Sequence, residues 1–130
     1  MLFDIHADST IPIYEQIINQ VIFGIASGDR EAGVTVPSVR DLAVRLRVNP
    51  NTVARAFQEL ERSGIFESKR GKGMDITDTA PQLCRVRRQE IVGQRIREAL
   101  REAVSSGLPA QTIRQLVEQE LLRLTGENHQ

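Results

Sequence analysis

The sequence contains no tryptophan, a single cysteine and few aromatic residues, and these shortages exclude several protein classes. Aromatic residues make up 4% of the 130 residues, so the core must consist mainly of Ile, Leu, Val and Ala. Cys84 has no internal partner, which excludes a disulfide scaffold and a cysteine-rich zinc site. No apolar run approaches the ~20 residues that a membrane helix needs. Residues 1–6 lack the basic and apolar regions of a secretory signal, so we expect a cytoplasmic protein without a membrane partner.

The chain has no net charge, but its charges are distributed unevenly. The 17 Lys and Arg residues balance the 17 Asp and Glu residues when His is neutral. Residues 1–29 hold four acidic residues and no Lys or Arg, whereas residues 30–75 hold nine Lys or Arg and six acidic residues. A neutral total can therefore conceal a basic face, which is the electrostatic footprint of a protein that binds nucleic acid.

Hydrophobic periodicity predicts three helices in the first half of the chain. Apolar residues recur every four positions over 13–25, after Pro12, and Gly28 is a suitable C-terminal stop. Ser38 is a good N-cap for a second, shorter helix, and Asn49 is a good N-cap for a third. Residues 47–49 therefore form a tight turn between the second and third helices.

A predicted hairpin and a helical tail follow. Two short runs at 65–68 and 74–77, the second alternating apolar and polar residues, flank a basic loop that contains glycine, a pattern typical of a β-hairpin. The dipeptide Ala-Pro that follows marks a boundary, which predicts one domain over 1–78 and a tail over 79–130. The tail carries two helical patterns separated by a Ser-Ser-Gly-Leu-Pro break, and the second pattern ends near Gly126.

The tail helices each carry one apolar stripe, which predicts a homodimer. Two helices of this size cannot enclose the ~300 Å³ or more of a drug-sized pocket. Burial of both stripes against the same hairpin of a second chain is the simplest solution. The residues predicted to form this dimer interface are Val92, Ile96, Leu100, Val104, Ile113, Leu116, Val117, Leu121 and Leu124.

Two short helices joined by a tight turn and followed by a basic hairpin predict a winged helix-turn-helix. The fold class is therefore α+β, mainly α, with a DNA-binding domain followed by a two-helix C-terminal dimerisation hairpin. The recognition helix, 50–63, would enter the major groove with its N-terminal side chains against base edges, where free N–H groups could also hold a phosphate. The wing, 69–73, would lie on the minor groove or the backbone. Candidate DNA contacts from this pattern are Asn49, Pro50, Asn51, Thr52, Arg55, Arg70, Gly71 and Lys72.

The sequence resembles the GntR-type bacterial transcription regulators at several blocks whose order and spacing together are specific. These blocks are VPSVRDLA (36–43), VNPNTV (48–53), QELERSGI (58–65) and RGKG (70–73). The Asn-Pro-Asn-Thr run, the opening IPIYEQI (11–17) and the short tail are similar to the YtrA-like branch.

The resemblance implies a winged helix-turn-helix that binds a double-stranded DNA operator as a dimer, and the likeness to the YtrA-like branch also suggests repression. In such proteins the residue matching Arg40, the start of the recognition helix and the wing-tip glycine contact DNA. We therefore add Arg40, together with Ser38 of the same block, to the candidate DNA contacts.

Three departures from the family pattern affect these assignments. Arg47 stands where the family usually has glycine, so either the turn is not left-handed or Arg47 is strained. Ala54 fills a position where many relatives have arginine, and Arg55 follows it. Asp75 lies close to the wing tip, where a carboxylate facing DNA would repel phosphate, so we expect it to point away.

Two other functions stay open from the sequence, and the effector is unknown. The chain could be a winged-helix protein-interaction module, or a regulator switched by a small ligand or a metal at the dimer interface. No nucleophile elbow, phosphate-binding loop or paired histidine ligands are present, so we expect no enzyme activity, no cofactor and no metal site. The run of Arg85, Arg87 and Arg88 fits either a DNA-backbone contact or ion pairs across a dimer, and these cations could also lower the pKa of Cys84.

Overall fold

The computed structural model describes residues 3–69 and 73–126 and confirms the predicted class, five helices with a small sheet. The elements are α1 (Ile13–Ala26), α2 (Val39–Leu46), α3 (Pro50–Arg62), β1 (Phe66–Lys69), β2 (Gly73–Ile76), α4 (Ala80–Ser105) and α5 (Ala110–Thr125). The chain forms two compact units that divide within α4, between Glu90 and Ile91. The predicted domain limits, 1–78 and 79–130, place the border just before α4 and stay a prediction.

Helix α1 is bounded as predicted, and it also holds the segment that precedes it. Pro12 occupies the N-cap position, and Gly28 follows the C-terminus with a φ of 85°. The side chain of Gln16 is buried and donates to the carbonyl oxygens of His6 and Ile11, while its Oε1 accepts from the His6 amide at 2.9 Å. Gln20 makes the same kind of paired bond with the backbone of Asp4. No sequence motif predicts these two amide contacts, here called the Gln16 clamp.

The α2–turn–α3 unit is defined by two side-chain caps and one left-handed residue. The Oγ of Ser38 accepts from the Asp41 amide at 3.0 Å, and the Oδ1 of Asn49 accepts from the Asn51 amide at 2.8 Å. Arg47 lies in the left-handed region at φ 57° and ψ 47°, and it alone does so among the non-glycine residues that the structure describes. The turn is therefore left-handed, and Arg47 carries the strain that glycine would avoid.

Helix α3 is the centre of the first unit, because it packs against α1, α2 and β1. Its buried side chains follow the helical repeat at positions 53, 56, 57 and 60. The Phe57 ring meets the ring of Phe66 on β1 edge to face, with centroids 5.3 Å apart. The core residues with no more than 1% exposure include Ile17, Val21, Ile22, Ile25, Leu42, Val53, Ala56, Leu60, Ile65 and Ile76.

The hairpin has a third extended neighbour that sequence periodicity did not predict. Strands β1 and β2 are antiparallel, with Phe66 opposite Ile76. Residues 33–36 run along the other edge of β2. The Val36 amide donates to the carbonyl oxygen of Met74, and the Ile76 amide donates to the carbonyl oxygen of Val34. The sheet edge at β2 is therefore covered by the segment that leads into α2.

The two tail helices end where the sequence predicts. Helix α4 stops at Ser105, Gly107 follows at φ 93°, and α5 begins after Pro109. Gly126 caps α5 in the left-handed region. In the first unit, Ala80 and Cys84 of α4 are fully buried, whereas the apolar stripes beyond residue 90 stay largely exposed.

The strain at Arg47 makes a stability prediction. Replacement by glycine, Arg47→Gly, should raise the free energy of unfolding by about 0.5–1 kcal/mol in urea denaturation, because relief of the left-handed strain exceeds the extra entropy of the unfolded chain. Arg45→Gly is the matched control, since it places glycine inside α2 and should lower the free energy of unfolding by about 1 kcal/mol. An equal loss of stability in both variants would contradict the assigned strain.

Candidate nucleic-acid interface

The start of α3 presents short polar side chains on a rigid, capped helix end. Asn49, Pro50 and Asn51 are exposed, and Thr52 is half-buried. Pro50 has no N–H, the Asn51 amide donates to the Asn49 side chain, and the Thr52 amide donates to the Asn49 carbonyl oxygen at 3.0 Å. The expectation that free N–H groups here hold a phosphate is therefore wrong. Any contact from this helix end must come from the side chains, including the Asn49 amide nitrogen.

The outward face of α3 carries two arginines in different environments. Residues 51, 55, 58 and 62 lie on the side opposite the buried positions and are exposed. The Nη1 of Arg62 lies 3.3 Å from a carboxylate oxygen of Glu59. The guanidinium carbon of Arg55 lies 3.7 Å from the centroid of the Tyr14 ring, which belongs to α1.

Tyr14 is not among the predicted DNA contacts, yet the structure brings its ring against the outward face of α3. The structure places Tyr14 half-buried at the start of α1, beneath the guanidinium of Arg55, which lies 41 positions later in the chain. Periodicity shows which face of a helix is buried, but it cannot pair one helix end with a residue on another helix. Only the packing of α1 on α3 brings the two side chains together.

Helix α2 adds two of the predicted residues. Ser38 is exposed, and its hydroxyl is used as the cap. Arg40 is exposed in the first turn, and within the part of the chain that the structure describes it has no ion-pair partner. A cation in the first turn opposes the helix dipole. Arg40 therefore does not stabilise α2, and its charge is available to a ligand.

At the base of the wing, the positive charge of Lys69 is partly neutralised by a neighbouring carboxylate. The Nζ of Lys69 lies 2.9 Å from Glu67, whose hydrogen bond and charge raise the pKa of Lys69. The predicted contacts Arg70, Gly71 and Lys72 lie outside the described residues. Asp75 accepts a hydrogen bond from the hydroxyl of Thr35 at 2.9 Å, which occupies one of the carboxylate oxygens.

Cys84 has the properties of a core thiol. It is fully buried on α4, and burial raises its pKa to about 11 against the smaller opposing effects of Arg87 and Arg85. The nearby cations therefore do not produce a reactive thiolate. Across the described ranges, no group of three His, Cys, Asp or Glu residues could hold a metal ion.

The buried thiol makes a reactivity prediction. Native protein at pH 8 should leave Cys84 unmodified by a thiol reagent such as 5,5′-dithiobis(2-nitrobenzoate), and unfolding in guanidinium should expose one reactive thiol per chain. Because the folded thiol has the higher pKa, the free energy of unfolding should fall as pH rises from 9 towards about 11. Rapid modification of the native protein would contradict this placement.

Comparison with known proteins decides the family. The model of the gntR family of bacterial regulatory proteins matches residues 13–76, from α1 to the end of β2. The HTH-type transcriptional repressor YtrA of Bacillus subtilis is 32% identical over 118 residues, which cover 91% of each chain. The chain belongs to the GntR family. The strength of the YtrA match also supports the YtrA-like branch.

Solved structures agree with this GntR assignment. A GntR family transcriptional regulator from Listeria monocytogenes is 32% identical, with a TM-score of 0.72 over 86% of this chain and 97% of that one. A transcriptional regulator from Oenococcus oeni is 27% identical, with a TM-score of 0.72 over 92% of this chain and 99% of that one.

As a GntR protein, the chain is a DNA-binding transcriptional regulator and not an enzyme. The family match ends at β2, so it spans the helix-turn-helix, whereas the YtrA match extends into the tail. Over the described residues, no helix is both long and apolar enough to span a lipid bilayer.

Proposed function

We propose that this GntR regulator represses transcription by binding an inverted-repeat operator as a homodimer. In each subunit, α3 lies in the major groove with its N-terminal side chains at the base edges, and the wing lies on the minor groove or the backbone. The observation that carries the proposal is the start of α3, where exposed amide side chains and a half-buried hydroxyl side chain stand on a capped helix whose opposite face is buried.

The side chains at this helix end have the chemistry that reads bases. An asparagine amide such as that of Asn51 can bond adenine in a bidentate manner, and the Thr52 hydroxyl and methyl can meet a base edge or a thymine methyl. The cap consumes only Oδ1 of Asn49. Its NH2 group therefore remains a donor for a phosphate or a base.

The position of Arg40 supports a phosphate or guanine contact from α2. The side chain opposes the dipole of α2 and is exposed, as described above. Because Arg40 lowers the stability of its own helix end, a contact with a partner outside the chain would account for an arginine at this position. Ser38, two positions earlier, caps the same helix end and keeps it ordered.

Exposed apolar stripes support dimerisation through the tail. Ile96 is 54% exposed and Leu124 is 67% exposed, although both are large apolar residues. The other exposed members of the predicted interface are Val92, Leu100, Val104, Leu116, Val117 and Leu121. Ile113 is half-buried. A second copy of the tail, 79–130, would remove these stripes from water and complete a cytoplasmic dimeric regulator.

The base-reading assignment makes an affinity prediction. On an operator obtained by selection from random duplex DNA, Arg40→Ala and Asn51→Ala should each weaken binding by about 1–3 kcal/mol, because each removes a contact that reads or orients the DNA. Arg62→Ala is the matched control, since Arg62 is already paired with Glu59 and should change affinity less than about twofold. Unchanged affinity in both test variants would overturn this recognition surface.

The tail assignment makes an assembly prediction. Leu121→Glu should convert the dimer to a monomer in sedimentation equilibrium and weaken operator binding, because it buries a carboxylate in the apolar interface. Gln115→Glu adds the same charge elsewhere on α5 and should leave the dimer intact. A dimer that withstands Leu121→Glu would place the interface outside the tail stripes.

A further inference from the structure

We propose that Tyr14 is a positioning residue for DNA binding, and that its ring holds the Arg55 guanidinium ready to meet the DNA. The inference rests on the proposed function, because it assigns a role to an arginine of the DNA-facing helix. It adds α1 to the recognition surface, which the sequence motifs place on α2, α3 and the wing.

The distance between Arg55 and Tyr14 supports this positioning role. The guanidinium carbon of Arg55 lies 3.7 Å from the Tyr14 ring centroid, which is stacking distance. Arg55 follows Asn51 by one turn on the exposed face of α3, so both project from the same side of the helix. The ring therefore holds a cation that lies one turn from the predicted base contacts.

A ring restrains an arginine without using the groups that bind DNA. The five N–H donors of a guanidinium lie in its plane, so a ring that covers one face leaves them directed outwards. A carboxylate partner would instead occupy donors and cancel the charge. Among the residues that the structure describes, Arg55 has no ion-pair partner, although the same cleft is lined by the carboxylates of Glu15 and Glu59.

Arg62 shows the contrast on the same helix. It lies on the same outward face two turns further on, and its guanidinium is paired with Glu59. Two arginines of one helix face thus differ in what restrains them. Arg55 keeps its donors and its charge for a ligand, whereas those of Arg62 are partly consumed.

The expected effect follows from the mobility that the ring removes. Ordering a long side chain on binding lowers affinity, so loss of the ring should weaken operator binding by ~2- to 10-fold. Tyr14→Leu removes the π face and keeps an apolar side chain, whereas Tyr14→Phe keeps the face. The expected order of affinity is wild type close to Tyr14→Phe, with Tyr14→Leu weaker.

The deciding experiment is a double-mutant cycle on the selected operator. Tyr14→Leu should weaken binding in the wild-type background and have less than about a twofold effect in the Arg55→Ala background. Arg55→Ala should also reduce the slope of log affinity against log salt by about 1 if Arg55 meets a phosphate. An equal loss from Tyr14→Leu in both backgrounds, or no loss in either, overturns the inference.

A second measurement covers the case in which Tyr14→Leu fails to fold. In full-length wild-type protein, the Arg55 Nε–Hε resonance should carry a ring-current shift that persists when operator is added. Disappearance of that shift on DNA binding would show that Arg55 leaves the ring, which overturns the inference. Failure of wild-type protein to bind any selected sequence would overturn the proposed function itself, and the two results are therefore distinguishable.

Discussion

The rotation of α3 about its own axis is the constraint on which the rest of the structure depends. Val53, Ala56, Phe57 and Leu60 are buried against α1, α2 and β1, so one face of the helix is fixed inside the core. The opposite face is then fixed towards solvent. Burial of apolar surface has no preferred direction by itself. Because the helical repeat places the exposed residues opposite the buried ones, burial of one face of α3 determines which side chains its proposed DNA-binding face presents.

The ends of the helices convert that rotation into a defined surface. The caps at Ser38 and Asn49 fix where α2 and α3 begin, and the left-handed residue Arg47 sets the angle between them. The Asn49 cap also removes backbone donors from the helix end. The proposed DNA contacts of α3 therefore depend on side-chain identity, which suits the proposed discrimination between DNA sequences.

Local signals predicted most of the fold, whereas long-range contacts escaped them. Pro12, Gly28, the Asn49–Pro50 pair and Gly126 mark helix ends that the structure reproduces within about a residue, because caps and stops act over one turn. The pairing of residues 33–36 with β2 and the Gln16 clamp join segments that are distant in sequence, and no periodicity encodes them. The same reason explains the site: the α3 residues were predictable from their motif, but the Tyr14–Arg55 contact depends on how α1 packs. The wing tip and the dimer interface stay predictions.

Footprinting of the DNA upstream of this protein's own gene and of a genomic fragment library, at two salt concentrations with competitor DNA, tests the central claim most directly. A dimer that recognises its operator through α3 should protect an inverted repeat with half-sites about one helical turn, ~34 Å, apart, and this protection should survive competitor DNA. Affinity should fall with salt while the protected sequence stays the same. Weak, uniform protection on every fragment that disappears with salt or competitor would contradict sequence-specific recognition by α3.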